Sequence, residues 1–143
     1  LLGDGPMRAS LEARAQQLVK AGRLRFAGLH ENARRLLPAS DLLAITSRTE
    51  GTPITLLEAM WAEIPVVATA VGGIPYVIDS NSAILVAPDA SAVAAAWDLV
   101  RINSADSAQR ARTARARVLC DHSESRWVDA HLRIYESATR VLS

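Results

Sequence analysis

Two glutamates with seven residues between them, Glu50 and Glu58, carry the clearest chemical signal in the chain. Glu50 falls in a loop after an apolar run, and Glu58 falls within the helix predicted to follow. A carboxylate accepts hydrogen bonds on both oxygens, so a cis diol matches one carboxylate well. Gly51 and Thr52 lie between them at the start of that helix, where free N–H groups and the helix dipole favour phosphate. The segment thus offers a diol clamp, a phosphate nest and a second polyol clamp. A sugar joined through phosphate to a ribose asks for that set. The same residues also fit two ordinary solvated acids on a capped helix.

Two further glycine pairs fit close backbone approach. The turn Gly3-Asp4-Gly5-Pro6 reads either as a phosphate site or as a tight strand-to-helix turn. Gly72-Gly73 lets a chain pass near a ligand, and equally makes any sharp turn. Other chemistries are excluded more firmly. The chain has 16 basic and 15 acidic residues, a net charge of +1, so no long-range field gathers nucleic acid or an anionic membrane. The single cysteine, Cys120, is expected as a helix-face packing residue. His30, His122 and His131 are too scattered for a zinc site, and no metal is expected. No apolar run is long enough to cross a bilayer and no export signal opens the chain, so a cytoplasmic location is expected.

The elements that must position these residues alternate. Residues 7–20 show helical spacing through Leu11, Ala15, Leu18 and Val19, and Gly22 ends that helix. Leu24 to Ala27 reads as a short strand, and Gly28 to Asn32 leads into a brief helix ending before Pro38. Leu42 to Thr46 is apolar without alternation, as in a strand covered on both faces. Thr52-Pro53 is a helix start with a capping hydroxyl, and Ile54, Leu57 and Trp61 form the stripe expected on the sheet. Pro65 to Thr69 and Ala83 to Val86 are two more strands, with Gly72 to Pro75 opening a helical turn between them. Three helices follow: alanine-rich from Ala92 to Ile102, basic over 106–119, and a last one capped by Ser123 and carrying Trp127, Ile134 and Val141. Arg110, Arg112, Arg115 and Arg117 are expected on a solvated helical face. The pattern is a parallel α/β sheet with flanking helices and a helical tail, whose ligands bind beyond the carboxyl ends of the strands.

Read in order, GDGP at 3–6, RFAG at 25–28, ASDLLAITSRTEGTPITLLEAM at 39–60, PVVATAVGGIP at 65–75 and ILVAP at 84–88 resemble a known domain. It is the C-terminal, donor-binding domain of the retaining GT-B glycosyltransferases often called glycosyl transferases group 1, or family 4. The resemblance implies a Rossmann-like sheet, incomplete at its N-terminal edge and closed by C-terminal helices. Residues 1–102 would form the nucleotide-sugar-binding domain and 103–143 the helices packed on it. It further implies that Glu58 holds the ribose hydroxyls, and that Glu50, the catalytic candidate, holds hydroxyls of the donor sugar. Gly51, Thr52 and the amide of Ile54 would lie near the diphosphate, with Gly72 and Gly73 at the donor loop. Gly3 and Gly5 would border the nucleotide, and Phe26 to Gly28 the base. Ser47 and Arg48 would line the pocket. The donor would be a nucleotide-diphosphate sugar, with no cofactor.

The first two leucines read as the end of a strand whose beginning lies outside the sequence. The resemblance implies that the first strand-helix unit, a basic pair (an arginine and a lysine) and a whole N-terminal domain are missing. Self-association through exposed sheet edges is then expected, and binding without turnover. For the parent protein, the resemblance implies sugar transfer with retention, in the cytoplasm or at the inner face of a membrane. Tyr76, Glu63 and Ala83 depart from the family, which commonly has an acid at the first position and glycine at the others. They support the alternative of a nucleotide-binding or assembly module without catalysis; an epimerase or phosphorylase sharing the fold is a further alternative.

Overall fold

Leu43–Ile45 (β1), Val66–Thr69 (β2) and Ile84–Val86 (β3) form an all-parallel sheet in the order β1-β2-β3 in a computed structural model describing residues 1–141. Leu142 and Ser143, the last positions of the expected second domain, and the side chain of Val141 lie outside the described residues. The chain divides into two compact units, Leu1–Leu36 and Leu37–Ser143.

In the larger unit the strands fall where unalternating apolar runs predict them. β1 pairs with β2 through Leu43–Val66, Ala44–Val67 and Ile45–Ala68, and β2 with β3 through Val67–Ile84, Ala68–Leu85 and Thr69–Val86. All four β2 residues are buried, as a central strand covered on both faces requires. Between the strands run α3 (Ile54–Trp61) and a one-turn helix α4 (Ile74–Val77), while α1 (Arg8–Arg14) and α2 (Gln16–Lys20) belong to the smaller unit. After β3 come α5 (Ala90–Ile102), α6 (Ser104–Asp121) and α7 (Glu124–Val141), which close the chain. The result is a Rossmann-like parallel sheet flanked by helices.

The core holds Leu56, Ala59, Met60, Val66, Ala68, Ile74 and Ile78 among its buried residues. The stripe expected on α3 is therefore misplaced. Ile54 is 71% exposed and Trp61 59%, Leu57 is partly buried, and Leu56, Ala59 and Met60 face inward instead. The helix is apolar around most of its circumference, so spacing alone offers two stripes. The one containing small Ala59 is the one buried where α3 meets β1, β2 and α6.

α3 ends in a Schellman motif: the Ile64 amide donates to the Ala59 carbonyl at 3.0 Å and the Glu63 amide to the Met60 carbonyl at 3.2 Å. The motif needs a left-handed residue at Glu63, and its φ is 58°, the only positive value at a non-glycine residue among those described. The glycine that the resemblance implies at this position would take up the same conformation without the strain a side chain adds.

On α6 the buried positions are Ser107, Ala111, Ala114 and Val118. Cys120 falls off that stripe and is exposed, contrary to the packing role expected of it. The arginines also depart from expectation, because only Arg112 pairs solely within α6, with Gln109. Arg110 donates to the Ser80 carbonyl at 3.1 Å, and Arg117 reaches Asp79 at 3.1 Å and the Tyr76 carbonyl at 3.4 Å. Arg115 donates to the Trp61 carbonyl and lies 5.3 Å from that ring's centroid. Three of the four arginines thus tie α6 to the end of α3, to α4 and to the loop after α4. α7 starts where Ser123 caps it, its hydroxyl accepting from the Arg126 amide at 3.4 Å.

The smaller unit has helices α1 (Arg8–Arg14) and α2 (Gln16–Lys20), which divide the expected single helix at Ala15. Gly22, at φ 68°, ends the second. The strand expected at Leu24–Ala27 reduces to isolated bridges of Leu2 and Gly3 with Gly28. Gly3 at φ 110° and Gly28 at φ 72° bend both partners out of extended geometry, and pairing stops there. A 3-10 helix, Ala33–Ala39, follows and contains Pro38 rather than ending before it.

Candidate functional site

The loop after β1 and the loop after β2 leave the same carboxyl edge of the parallel sheet, and they are locked together. The Gly73 amide donates to the Glu50 carbonyl (3.2 Å) and the Gly51 carbonyl (3.1 Å). Gly72 adopts φ 53°, and a Cβ there would lie 1.7 Å from the Glu50 carbonyl oxygen; at Gly73 it would lie 2.3 Å from that of Gly51. The two glycines are needed so that one backbone can rest on the other. Gly72 and Gly73 therefore hold the Glu50–Gly51 backbone in place, a contact that sequence could not distinguish from a simple turn.

The Glu50 side chain is oriented as well. Ser47 donates its hydroxyl to Glu50 Oε1 at 2.6 Å. Thr69, on β2 and only 1% exposed, donates to the Ser47 carbonyl at 2.7 Å and lies 3.5 Å from the Ile45 carbonyl. Thr69 was not among the residues singled out by sequence. Its signal was a hydroxyl at the carboxyl end of an otherwise aliphatic strand.

Glu58 lies one turn into α3, on the same side as exposed Ile54 and away from Leu56, Ala59 and Met60. It is half-buried, and its carboxylate has no hydrogen-bond or ion-pair partner among the described residues. Pro53 is the N-cap and no side chain caps the helix, so Thr52 does not have the capping role expected of it. The amides of Gly51, Thr52 and Ile54 consequently donate to no other group among the described residues. These N–H groups point from a loop and helix start whose dipole is positive. Arg48 is exposed, without a partner among the described residues.

The structure thus brings Ser47, Glu50, Gly51, Gly72 and Gly73 into one locked loop pair, with Thr52 beside Gly73 and Glu58 on the adjoining helix. The remaining candidates, Gly3, Gly5, Phe26 and Gly28, belong to the smaller unit. There the Gly3 amide donates to the Gly28 carbonyl at 2.7 Å. Arg8 braces the pair: its guanidinium binds Glu12 at 2.8 Å and Asp4 at 3.3 Å, and a Cβ on Gly28 would lie 3.3 Å from it. Gly5 makes the turn by donating its amide to Asp4 Oδ1 at 2.8 Å. Phe26 lines an open cleft of about 680 Å³ together with Glu12, Val19 and Leu24.

The two-glutamate loop, its glycine support and the parallel sheet beneath it coincide with the family model described as glycosyl transferases group 1, which matches residues 1–101. The chain belongs to that family. Over 78 residues it is 40% identical to the N-acetyl-alpha-D-glucosaminyl L-malate synthase of Bacillus anthracis, an alignment covering 54% of this chain and 20% of that protein. It is 34% identical over 148 residues to the lipopolysaccharide core biosynthesis mannosyltransferase LpsB of Rhizobium meliloti, covering 95% of this chain and 41% of LpsB. Among solved structures, Anabaena HepE in complex with UDP superposes with a TM-score of 0.77 at 25% identity, covering 98% of this chain and 40% of HepE. This member of the group 1 glycosyl transferases therefore spans between a fifth and two fifths of these relatives, and its fold is that of GT-B C-terminal domains. No helix among the described residues is long and apolar enough to cross a membrane.

Proposed function

We propose that this chain supplies the donor half of a retaining glycosyltransferase site. A nucleotide-diphosphate sugar would bind at the carboxyl edge of β1 and β2. The observation that carries the reading is the locked loop pair, in which Gly72 and Gly73 fix the Glu50–Gly51 backbone beside unengaged amides. Glu58, with both carboxylate oxygens unpartnered, accepts from the two ribose hydroxyls. Glu50 accepts from the donor sugar. The amides of Gly51, Thr52 and Ile54 face the diphosphate. As the bond from the anomeric carbon to the diphosphate breaks, negative charge grows on the phosphate oxygens, and donors already in place stabilise it without reorganising.

Solved structures of HepE hold UDP and UDP-glucose, which makes uridine donors the first probes. Acceptor binding belongs to the rest of the parent protein, and the chain alone binds without turnover, since placing the acceptor against the donor supplies much of the rate. Calorimetric titration with UDP, GDP, ADP and their common sugar conjugates tests this. Saturable binding of one nucleotide, lost in Glu58→Ala, is the expected result. A folded chain that binds none of them, or a Glu58→Ala variant that binds as well as the parent chain, would overturn it.

The alternative of an assembly module without catalysis drew its support from Glu63, Tyr76 and Ala83. Glu63 precedes β2, at the strand end opposite the Glu50 loop, and already adopts the left-handed geometry. Ala83 is buried in the core, and Tyr76 is 86% exposed. None of the three disturbs the locked loops, so transfer is the reading favoured for the parent protein.

A further inference from the structure

We infer that Thr69 and Ser47 form a positioning relay that presents Glu50 to the donor sugar with one carboxylate oxygen engaged and the other free. The inference rests on the donor-site reading and assigns the sugar subsite a single-oxygen acceptor. The chain of contacts begins in the core. Thr69 is buried at the end of β2, and its one hydroxyl hydrogen goes to the Ser47 carbonyl at 2.7 Å. That bond fixes the Ser47 backbone, in the loop after β1, to the end of β2. Ser47 in turn spends its only hydroxyl hydrogen on Glu50 Oε1, at the short distance of 2.6 Å typical of a charge-assisted bond. The Glu50 backbone is held independently by the Gly73 amide at 3.2 Å. Backbone and carboxylate are therefore both fixed before any ligand arrives, and Oε2 is the oxygen without an internal partner.

The two glutamates then differ in what they recognise. Glu58 keeps both oxygens unengaged and suits a vicinal diol. Glu50 offers Oε2 and suits one hydroxyl of the sugar, at a position set by β2 instead of by the ligand. Neither Thr69 nor Ser47 is a catalytic residue on this view; both act through Glu50.

Four variants test the relay: Ser47→Ala and Thr69→Val remove a hydroxyl, and Ser47→Thr and Thr69→Ser keep it. In the ligand-free chain, side-chain couplings of Glu50 measured by NMR report a single χ1 rotamer for the parent chain and the hydroxyl-keeping variants. They report averaged rotamers for Ser47→Ala and Thr69→Val. In calorimetry with UDP and UDP-glucose, and with GDP and GDP-mannose, Thr69→Val weakens the nucleotide sugar about tenfold, the scale of one hydrogen bond to a charged group. The matching nucleotide stays within about twofold, and Thr69→Ser restores the sugar affinity. A single Glu50 rotamer in Ser47→Ala, averaging already in the parent chain, or equal weakening of nucleotide and nucleotide sugar overturns the relay. If the parent chain binds none of these compounds, the donor-site reading falls, and the rotamer measurement alone decides the relay.

Discussion

Glu63 stands in a left-handed conformation that an L side chain reaches at a cost of about 1–2 kcal/mol. Its compensation is weak: Arg115 lies 4.0 Å away, and both side chains are substantially exposed, a setting in which ion pairs contribute little. Glu63→Gly should therefore stabilise the chain by about 0.5–1 kcal/mol, the relief of strain less the added freedom of glycine in the unfolded state. Urea denaturation measures it, with an unchanged m-value; a destabilised variant would mean that the Arg115 pair outweighs the strain. Gly72 presents the opposite case. A methyl group there overlaps the Glu50 carbonyl and is placed on a backbone at φ 53°, so Gly72→Ala should cost about 2 kcal/mol or more and shift the Glu50 and Gly51 amide resonances. At this scale sequence and structure agree in part. The family pattern marked both Glu63 and Gly72, but the partner of Gly72 could not be read, because it lies 22 residues earlier and is a backbone oxygen. Thr69 was missed for the same reason, since its acceptor is a carbonyl and carbonyls leave no trace in residue type.

Elements were legible where one pattern dominated. Unalternating runs located all three strands of the sheet, and helical spacing located α5 to α7 within a few residues. Where a helix is apolar on most sides, as in α3, spacing could not choose the buried face, and the tertiary partner chose it. The arginines of α6 depart from expectation because three of them find acceptors 30 or more residues away, the backbone carbonyls of Trp61, Tyr76 and Ser80 and the Asp79 carboxylate. That aspartate gives a prediction for the element. The Ser82 hydroxyl, with the Asn81 amide and Arg117, holds the Asp79 carboxyl below its ordinary value of 3.8, against a smaller opposing effect of burial. A depressed folded-state value means that the group's contribution to stability is full above about pH 4 and is lost as pH falls through the folded value. Asp79→Asn should thus be less stable than the parent chain at neutral pH, with the difference shrinking through pH 4 and vanishing in stronger acid. Thermal melts between pH 7 and 2 measure this. A difference independent of pH would show that the turn, and not the charge, carries the effect.

At the scale of the whole molecule, the family was legible because its blocks occur in order along the sequence, and the sheet they specify is the one observed. What the sequence could not supply is the environment of the surfaces the fold leaves uncovered. Among the described residues, β1 and β3 each pair with a strand on one side only, and an unpaired strand edge presents open N–H and C=O groups. α7 buries none of the side chains described on it, and Trp127, Ile134 and Tyr135 are each more than half exposed. Both features favour association, but through different chemistry. Edge pairing depends on backbone groups and is blocked by a charged side chain beside the strand, whereas a helix face depends on apolar area. The chain is expected to self-associate through the β1 edge, giving a scattering mass above its 15.4 kDa that grows with concentration. Leu42→Lys, just before β1, should weaken that association, while Trp127→Ser combined with Tyr135→Ser should leave it in place. The reverse result would transfer the contact to α7, and a parent chain that stays monomeric at high concentration would remove the edge from the argument altogether.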